Sequence, residues 1–117
     1  MQLAIFGAKS TALGICKAVQ ALYRQFPVVC FLVSSKAGNP DMLANLPVYE
    51  LGSFPRKDVC VLVATPEDVQ ERVVCALEAR GFGKYICIDS AKEARLMERY
   101  YAKIGAFRSL HRLRQEG

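Results

Sequence analysis

The chain opens with Leu3-Ala4-Ile5-Phe6-Gly7-Ala8-Lys9-Ser10-Thr11-Ala12-Leu13-Gly14, in which a short apolar run leads through a glycine into a helical pattern. The apolar run before Gly7 predicts a buried β-strand. From Ser10 to about Arg24, apolar residues recur at the three- and four-residue spacing of one helix face. A strand that leads directly into an amphipathic helix is the first half of a β-α-β unit, which favours a parallel sheet.

The rest of the chain repeats this alternation of strand and helix patterns. Apolar runs predict further strands at residues 27–33, 46–51, 58–64 and 85–88. Helices are predicted to begin at Asn39-Pro40 (a short one), to run from about Pro66 to Arg80, and to run from Ser90 to Ile104 with Gly105 as the stop. Right-handed crossovers then give an α/β fold, a Rossmann-like three-layer α/β/α architecture with a mostly parallel sheet of about five strands. The predicted domain is 1–105, followed by a basic tail or linker at 106–117.

Two of the helix starts carry capping signals. Thr65 precedes Pro66 and the acids Glu67 and Asp68, which predicts a hydroxyl cap and a first turn that complements the helix dipole. Ser90-Ala91-Lys92-Glu93 has the spacing of a capping box, in which serine and glutamate each satisfy the other's amide. Thr65 and Ser90 are therefore the predicted N-cap residues.

Composition limits the classes of protein that this chain can belong to. Its 117 residues are 52% hydrophobic and 23% charged, which excludes disordered and low-complexity chains and fits one compact domain. No apolar run approaches the roughly 18 residues of a membrane span, and the N-terminus lacks the basic segment of a signal peptide. These observations predict a cytoplasmic protein without a membrane span.

Metal and nucleic-acid sites have little support in the sequence. The five cysteines lie in apolar segments and are predicted to be small core residues, and the single histidine, His111, has no ligand spacing around it. The formal charge of +5 includes the arginines of the tail (Arg108, Arg112 and Arg114). That basic cluster is small and has few aromatic residues, so nucleic-acid binding is not expected.

Ligands of doubly wound sheets bind outside the carboxyl ends of the strands, near the switch in strand order. The loops after Phe6, Val33 and Ala64 are therefore the candidate site. In the first loop Gly7 and Ala12 match two positions of the fingerprint G-x-G-x-x-G/A, with Lys9 where the second glycine stands. Free amides at the helix start are predicted to attract a phosphate. The candidate ligand-binding residues are Gly7, Ala8, Lys9, Ser10, Thr11, Ser34, Ser35, Ala64 and Thr65.

The second and third loops leave the ligand open. After the second strand, Ser34-Ser35-Lys36 lacks the acid that usually binds the ribose of NAD. Two serines and a lysine are suited to a 2′-phosphate or to a different nucleotide. The same residues are equally typical of a solvated turn that binds no ligand. Thr65 is a candidate contact for a ribose or base. No paired carboxylates, Ser-His-Asp set or nucleophile elbow is present, so the sequence assigns no catalytic residue.

Five segments together resemble a known family: Ile5-Phe6-Gly7-Ala8, the turn 34–40, Leu46-Pro47-Val48, Val61-Leu62-Val63-Ala64 and Leu77-Glu78-Ala79-Arg80-Gly81-Phe82. They are similar to the Rossmann-like N-terminal modules of bacterial sugar-modifying enzymes of surface-polysaccharide pathways, such as sugar acetyltransferases and glycosyltransferases. The resemblance implies a nucleotide or nucleotide-sugar held by the glycine loop and the ends of the second and fourth strands. It also implies a fused catalytic domain after the tail. This chain departs from that family at two points, because many of its members have a second glycine where Lys9 stands and an acidic residue near Ser34 or Ser35.

Three functions therefore follow from the sequence as hypotheses. The first is a nucleotide or nucleotide-sugar binding module without catalysis of its own. The second is a Rossmann-like protein-interaction domain that binds no ligand, and the third is a fragment of an NAD(P)-binding oxidoreductase that uses Lys36 for a 2′-phosphate. A homo-oligomer is compatible with each of them.

Overall fold

The computed structural model describes the backbone of residues 1–116 and the side chains of residues 1–105. His111 and the arginines of the predicted basic tail lie outside the described side chains. The strands are β1 Leu3–Phe6, β2 Val28–Val33, β3 Met42–Leu43, β4 Leu46–Glu50, β5 Cys60–Val63 and β6 Tyr85–Cys87. The α-helices are α1 Ser10–Leu22, α2 Glu67–Ala79 and α3 Ser90–Glu116, with a 3-10 turn at Leu51–Ser53.

All strands belong to one sheet with the order β3-β4-β2-β1-β5-β6. Every neighbouring pair is parallel except β3 and β4. The chain builds outward from β1 through β2 to β4, and then returns to the other side of β1 to add β5 and β6. The direction of construction therefore switches between β1 and β5. The predicted α/β fold with a mostly parallel sheet is confirmed, but the sheet has six strands where about five were predicted.

The additional strand replaces the short helix predicted at Asn39-Pro40, so that prediction is wrong. Ala44 and Asn45 have positive φ angles of 51° and 64° and form a two-residue turn between β3 and β4. Such turns match the right-handed twist of paired strands and close a β-hairpin. Asn39 instead closes the preceding loop, since its side-chain amide donates to the Ser35 carbonyl at 2.8 Å. The residues after Asn39-Pro40, which the predicted helix would include, form the β3–β4 hairpin instead.

The core lies on both faces of the sheet. Side chains alternate along β1, so Ile5 points to one face while Ala4 and Phe6 point to the other. Ile15 of α1 packs on the first face with Leu96 of α3 partly buried beside it, whereas α2 covers the second face. Helices therefore cover both faces, which explains why the central strands are continuous apolar runs.

The start of α3 differs from the predicted capping box. Asp89 accepts the Lys92 amide through Oδ1 at 2.8 Å, so the aspartate one residue earlier takes the capping role assigned to Ser90. The Ser90 amide donates at 2.5 Å to the carboxylate of Glu67, on α2. Both Asp89 and Ser90 are of residue types that cap helices well, and in the structure it is the Asp89 carboxylate that accepts the helix amide.

The end of α3 also differs, because the helix continues through Gly105 to Glu116. Gly105 does not adopt the positive φ of a helix-ending glycine, and the sequence that follows it contains no proline. A glycine inside a helix costs only about 1 kcal/mol relative to alanine, which the surrounding helix formers offset. Although α3 is long, no helix in the described part of the chain is apolar enough to cross a bilayer.

The cysteines do not all belong to the core. Cys16, Cys30 and Cys60 are buried, but Cys75 is exposed and Cys87 only partly buried. Cys75 lies two residues from both Val73 and Leu77, which face the sheet, and this spacing places it on the outer side of α2. The prediction of five core cysteines is therefore wrong at Cys75. Burial raises the pKa of the Cys16 and Cys30 thiols to about 11.

We expect Cys75 to react first with a chromogenic disulfide reagent at about pH 8, because it is exposed and thiolates are the reacting species. Cys16 and Cys30 should react only on unfolding, since a raised pKa keeps them protonated. The measurement is the time course of thiol modification, with the total number of thiols counted in denaturant. Cys75→Ser should remove the fast phase, and a fast phase that survives this change would contradict the exposure pattern.

Gln70 is a buried polar side chain that joins α2 to two loops. Its amide nitrogen donates to the backbone carbonyls of Thr65 and Ile88, each at 2.9 Å. These carbonyls follow β5 and β6. One side chain therefore fixes both loops relative to α2.

Replacing this amide should destabilise the fold. Gln70→Leu keeps a similar shape but leaves two carbonyls without their donor, and we expect the free energy of unfolding to fall by about 2 kcal/mol. Urea denaturation measures this change. Gln20→Leu, at an exposed position of α1, is the matched control and should change stability by less than about 0.5 kcal/mol. Equal effects of the two variants would show that the Gln70 hydrogen bonds are unimportant.

Candidate functional site

A cleft of about 550 Å³ lies where β1, β2 and β5 end. Its walls are the loops after these strands, as expected at the switch point of a parallel sheet. Residues 6–11, 33–35 and 64–66 line it, together with Ala37 and Asn39. All nine candidate residues predicted from the sequence are therefore brought together. Asn39 and Pro66 also line the cleft, although the sequence pattern assigns both of them only to predicted helix starts.

Gly7 makes the turn from β1 into the cleft possible. Its φ is +132°, and a Cβ at this position would lie 3.2 Å from the Ala12 Cβ and 3.3 Å from the Ala64 carbonyl oxygen. The Gly7 amide donates to the Leu32 carbonyl at 2.8 Å. Only glycine combines this conformation with this close approach. The turn therefore brings the start of α1 against the end of β5.

The amides after this turn point to no acceptor in the described residues. The N–H groups of residues 8–11 donate to no protein atom among the described residues. The first hydrogen bond of the helix is the one that the Leu13 amide donates to the Lys9 carbonyl, at 3.0 Å. No side chain caps α1, and its first turn contains no acid. The first amides of a helix carry a partial positive charge. This helix start therefore presents several unpaired donors to the cleft.

The start of α2, at the same edge of the sheet, is arranged differently. Glu67 and Asp68 occupy its first turn and complement the dipole. The Ser90 amide that donates to the Glu67 carboxylate lowers the pKa of this acid. Because the chain supplies its own negative charges at α2 and none at α1, the positive end of α1 is the one left for an external anion.

Lys9 strengthens this positive character. Its side chain is exposed and it occupies the N-cap position of α1. A cation at a helix N-terminus is unfavourable unless an anion lies nearby. Lys9 and the free amides therefore favour the same kind of ligand, one that carries negative charge.

The loop after β2 is held by its own hydrogen bonds. The Ser35 hydroxyl accepts from the Ala37 amide at 3.2 Å, and its carbonyl accepts from the Asn39 side chain. Lys36 pairs with Asp41 at 2.7 Å and lowers the pKa of that carboxyl. Lys36 does not line the cleft. This geometry disfavours the hypothesis in which Lys36 binds a 2′-phosphate.

Thr65 does not cap α2 as predicted. The N-cap residue is Pro66, one position later, and no side chain caps this helix. The Thr65 hydroxyl oxygen is instead buried, and it has no hydrogen-bond partner in the described part of the chain. A buried hydroxyl without a partner costs free energy. Thr65 lines the cleft, so this residue carries an unused hydrogen-bonding group next to it.

The lining as a whole is rich in donors and poor in acids. It contains backbone amides, the hydroxyls of Ser10 and Thr11, and the Lys9 ammonium, but no carboxylate, imidazole or thiol. Among the described residues there is also no cluster of three or more metal-ligating side chains. Such a lining is complementary in charge and hydrogen bonding to an anion.

Comparison with protein-family models, with curated proteins and with solved structures finds no match for this chain. The family resemblance noted in the sequence therefore remains a hypothesis.

The Thr65 hydroxyl gives a prediction about the protein without ligand. Thr65→Val removes a buried polar oxygen and keeps the shape, so we expect the free energy of unfolding to rise by about 1 kcal/mol. Thermal or urea unfolding measures this change. Thr11→Val, at an exposed position of the same cleft, is the control and should have little effect. Destabilisation by Thr65→Val would show that the hydroxyl is already satisfied.

Proposed function

We propose that this chain is a binding module for a nucleotide-type ligand, most favourably a nucleotide-sugar, and that it has no catalysis of its own. The observation that carries the proposal is the set of unpaired amides of residues 8–11, which open into the cleft beside Lys9. A diphosphate placed over these amides accepts several hydrogen bonds and meets the positive end of α1. Helix starts of this kind are common phosphate sites in proteins.

The architecture supports the same conclusion. The five parallel strands have the order β4-β2-β1-β5-β6, and helices cover both faces of the sheet. Numbered among themselves, the parallel strands follow the order 3-2-1-4-5 of Rossmann-like folds. We therefore assign a Rossmann-like three-layer architecture, extended at one edge by the β3–β4 hairpin. Ligands of such folds lie at the switch point, where this cleft is found.

The loop after β2 supports one class of nucleotide over the others. That strand ends at Val33 and continues with Ser34 and Ser35, so no carboxylate meets the ribose where NAD is usually held. With Lys36 paired to Asp41, a 2′-phosphate also lacks its partner. A nucleoside diphosphate attached to a sugar needs neither group. Thr65 and Asn39 both line the cleft, which supports a contact of these residues with its ribose or base.

The resemblance described above extends the proposal to the biological setting. It supports a cytoplasmic module of a bacterial surface-polysaccharide enzyme, such as a glycosyltransferase, with catalysis in a fused domain. A binding module of this kind would hold the activated sugar or sense its concentration.

Ligand binding can be tested by thermal unfolding in the presence of UDP, UDP-sugars, NAD and NADP at millimolar concentration. A ligand at a hundredfold excess over its Kd stabilises the folded state by about 2.7 kcal/mol, which gives a clear rise in Tm. We expect this rise with a nucleoside diphosphate or its sugar conjugate. No shift with any of these ligands would reject the proposal and favour the protein-interaction domain.

Ser10→Asp separates loss of binding from loss of fold. The new carboxylate occupies the phosphate position and should abolish the ligand-induced shift, but it also complements the dipole of α1. Without ligand we therefore expect the free energy of unfolding to rise by about 0.3–1 kcal/mol. Ser53→Asp, in the 3-10 turn, carries the same charge change and should retain the shift. A ligand-induced shift that persists in Ser10→Asp would place the phosphate elsewhere.

A further inference from the structure

A second concavity lies on the face of the sheet that α1 and α3 cover, and we call it the α1–α3 groove. It has a volume of about 490 Å³ and shares no lining residue with the cleft. It reaches the amino ends of β1 and β5, whereas the cleft lies at their carboxyl ends. Its lining is Met1, Leu3, Val19, Tyr23, Phe26, Cys60, Leu62, Ile86, Ile88, Lys92, Arg95, Leu96 and Arg99.

The floor of the α1–α3 groove is apolar. Leu62 and Val19 belong to the buried core, and Leu96 is partly buried against it. Ile86 on the edge strand is 45% exposed and Phe26 is 38% exposed, although both are large apolar residues. Isolated exposed apolar residues are common, but these two share one concave surface with the core. A groove of this size and lining is typical of a small-molecule site.

The rim of the groove is basic. Lys92, Arg95 and Arg99 are spaced three and four residues apart, so they lie on one face of α3. The Lys92 ammonium donates to the Cys87 carbonyl at 3.3 Å, and the Arg99 guanidinium donates to the Tyr23 hydroxyl at 2.9 Å. These partners are neutral, so they hold the cations in place without cancelling their charge.

The basic rim has no acidic partner within the groove. No carboxylate lines it, and none of the three rim cations forms a salt bridge with a described residue. Glu93 and Glu98 neighbour the cations along α3 but do not line the groove. An apolar floor below an uncompensated positive rim is complementary to a molecule with an apolar chain and an anionic head.

We propose that the α1–α3 groove binds one single-chain anionic amphiphile, a long-chain carboxylate. The chain covers the apolar floor from Ile88 toward Phe26, and the carboxylate meets Arg95 and Arg99, whose planar guanidinium groups match carboxylate geometry. A free inorganic anion would leave the floor exposed to water. A second copy packed by two-fold symmetry would bring two identical basic rims together, which like-charge repulsion opposes.

The direct test is isothermal titration calorimetry of the whole chain with dodecanoate below its micelle concentration. We expect one site, with affinity that falls as salt is added because the rim is exposed. Acetate has the head without the chain, and dodecyltrimethylammonium has the chain with the opposite charge, so both should bind far more weakly. Binding of the cationic amphiphile as tight as that of dodecanoate would reject the role of the basic rim.

Variants on exposed positions locate the site. Arg95→Glu should weaken dodecanoate binding by about fivefold or more, because an attraction is replaced by a repulsion. Ile86→Glu should weaken it as well, by placing a charge on the floor. Arg72→Glu, at an exposed position of α2 on the opposite face of the sheet, has the same charge change as Arg95→Glu and should leave binding unchanged. Circular dichroism and thermal unfolding check that each variant is folded.

Two further results would overturn the proposal. Equal losses of affinity in Arg95→Glu and Arg72→Glu would show that only net charge matters. A dimer in sedimentation experiments that Ile86→Glu dissociates, together with no binding of dodecanoate, would show that a second copy covers the groove. Neither result depends on the nucleotide-type ligand, which is tested separately through the cleft.

Discussion

The close approach at Gly7 is the constraint on which the rest of the molecule depends. A Cβ there would crowd both the Ala12 side chain and the Ala64 carbonyl. β1, the start of α1 and the end of β5 can therefore pack this closely only around a residue without a side chain. β1 is the central strand, with β2 and β5 on its two sides. The same turn that satisfies the Gly7 amide through Leu32 leaves the next amides unpaired, in residues that line the cleft. The fold and the unpaired donors of the cleft thus have a common origin.

Charge is distributed so that the two concavities differ in chemistry. The cleft offers backbone amides, hydroxyls and one exposed lysine, whereas the α1–α3 groove offers apolar side chains under a basic rim. Both lack carboxylates in their linings, in a chain whose formal charge is +5. The acids near these surfaces serve structural roles instead, as Glu67 and Asp89 do when they accept backbone amides at α3. Among the described residues, positive charge is therefore left without an acidic partner at both concavities.

Periodicity in the sequence predicted most of the fold, because buried strands and amphipathic helices have distinct apolar patterns. It also predicted that the loops after β1, β2 and β5 meet at one edge of the sheet, since the position of a loop after a parallel strand fixes the edge at which it lies. The errors fall where two local signals compete. Asp89 and Ser90 are both good caps, Asn39 serves a turn as readily as a helix start, and Gly105 interrupts a helix only if it adopts a positive φ. The hairpin at Ala44 and Asn45 carries only a weak turn signal. The α1–α3 groove combines residues from distant elements, which no local pattern reveals.

Lys9 is the residue at which the cleft departs most from a dinucleotide site. The second glycine of the fingerprint allows the backbone to approach a pyrophosphate closely, and a lysine side chain takes up part of that space. In this chain the Lys9 side chain is exposed and the amides on both sides of it remain unpaired. A diphosphate can then lie slightly farther from the backbone and gain the ammonium as a partner. The attraction of the Lys9 ammonium then compensates for the longer distance between phosphate and backbone, which favours a highly charged, compact ligand over an extended dinucleotide. The absence of a ribose-binding acid after Val33 agrees with this preference.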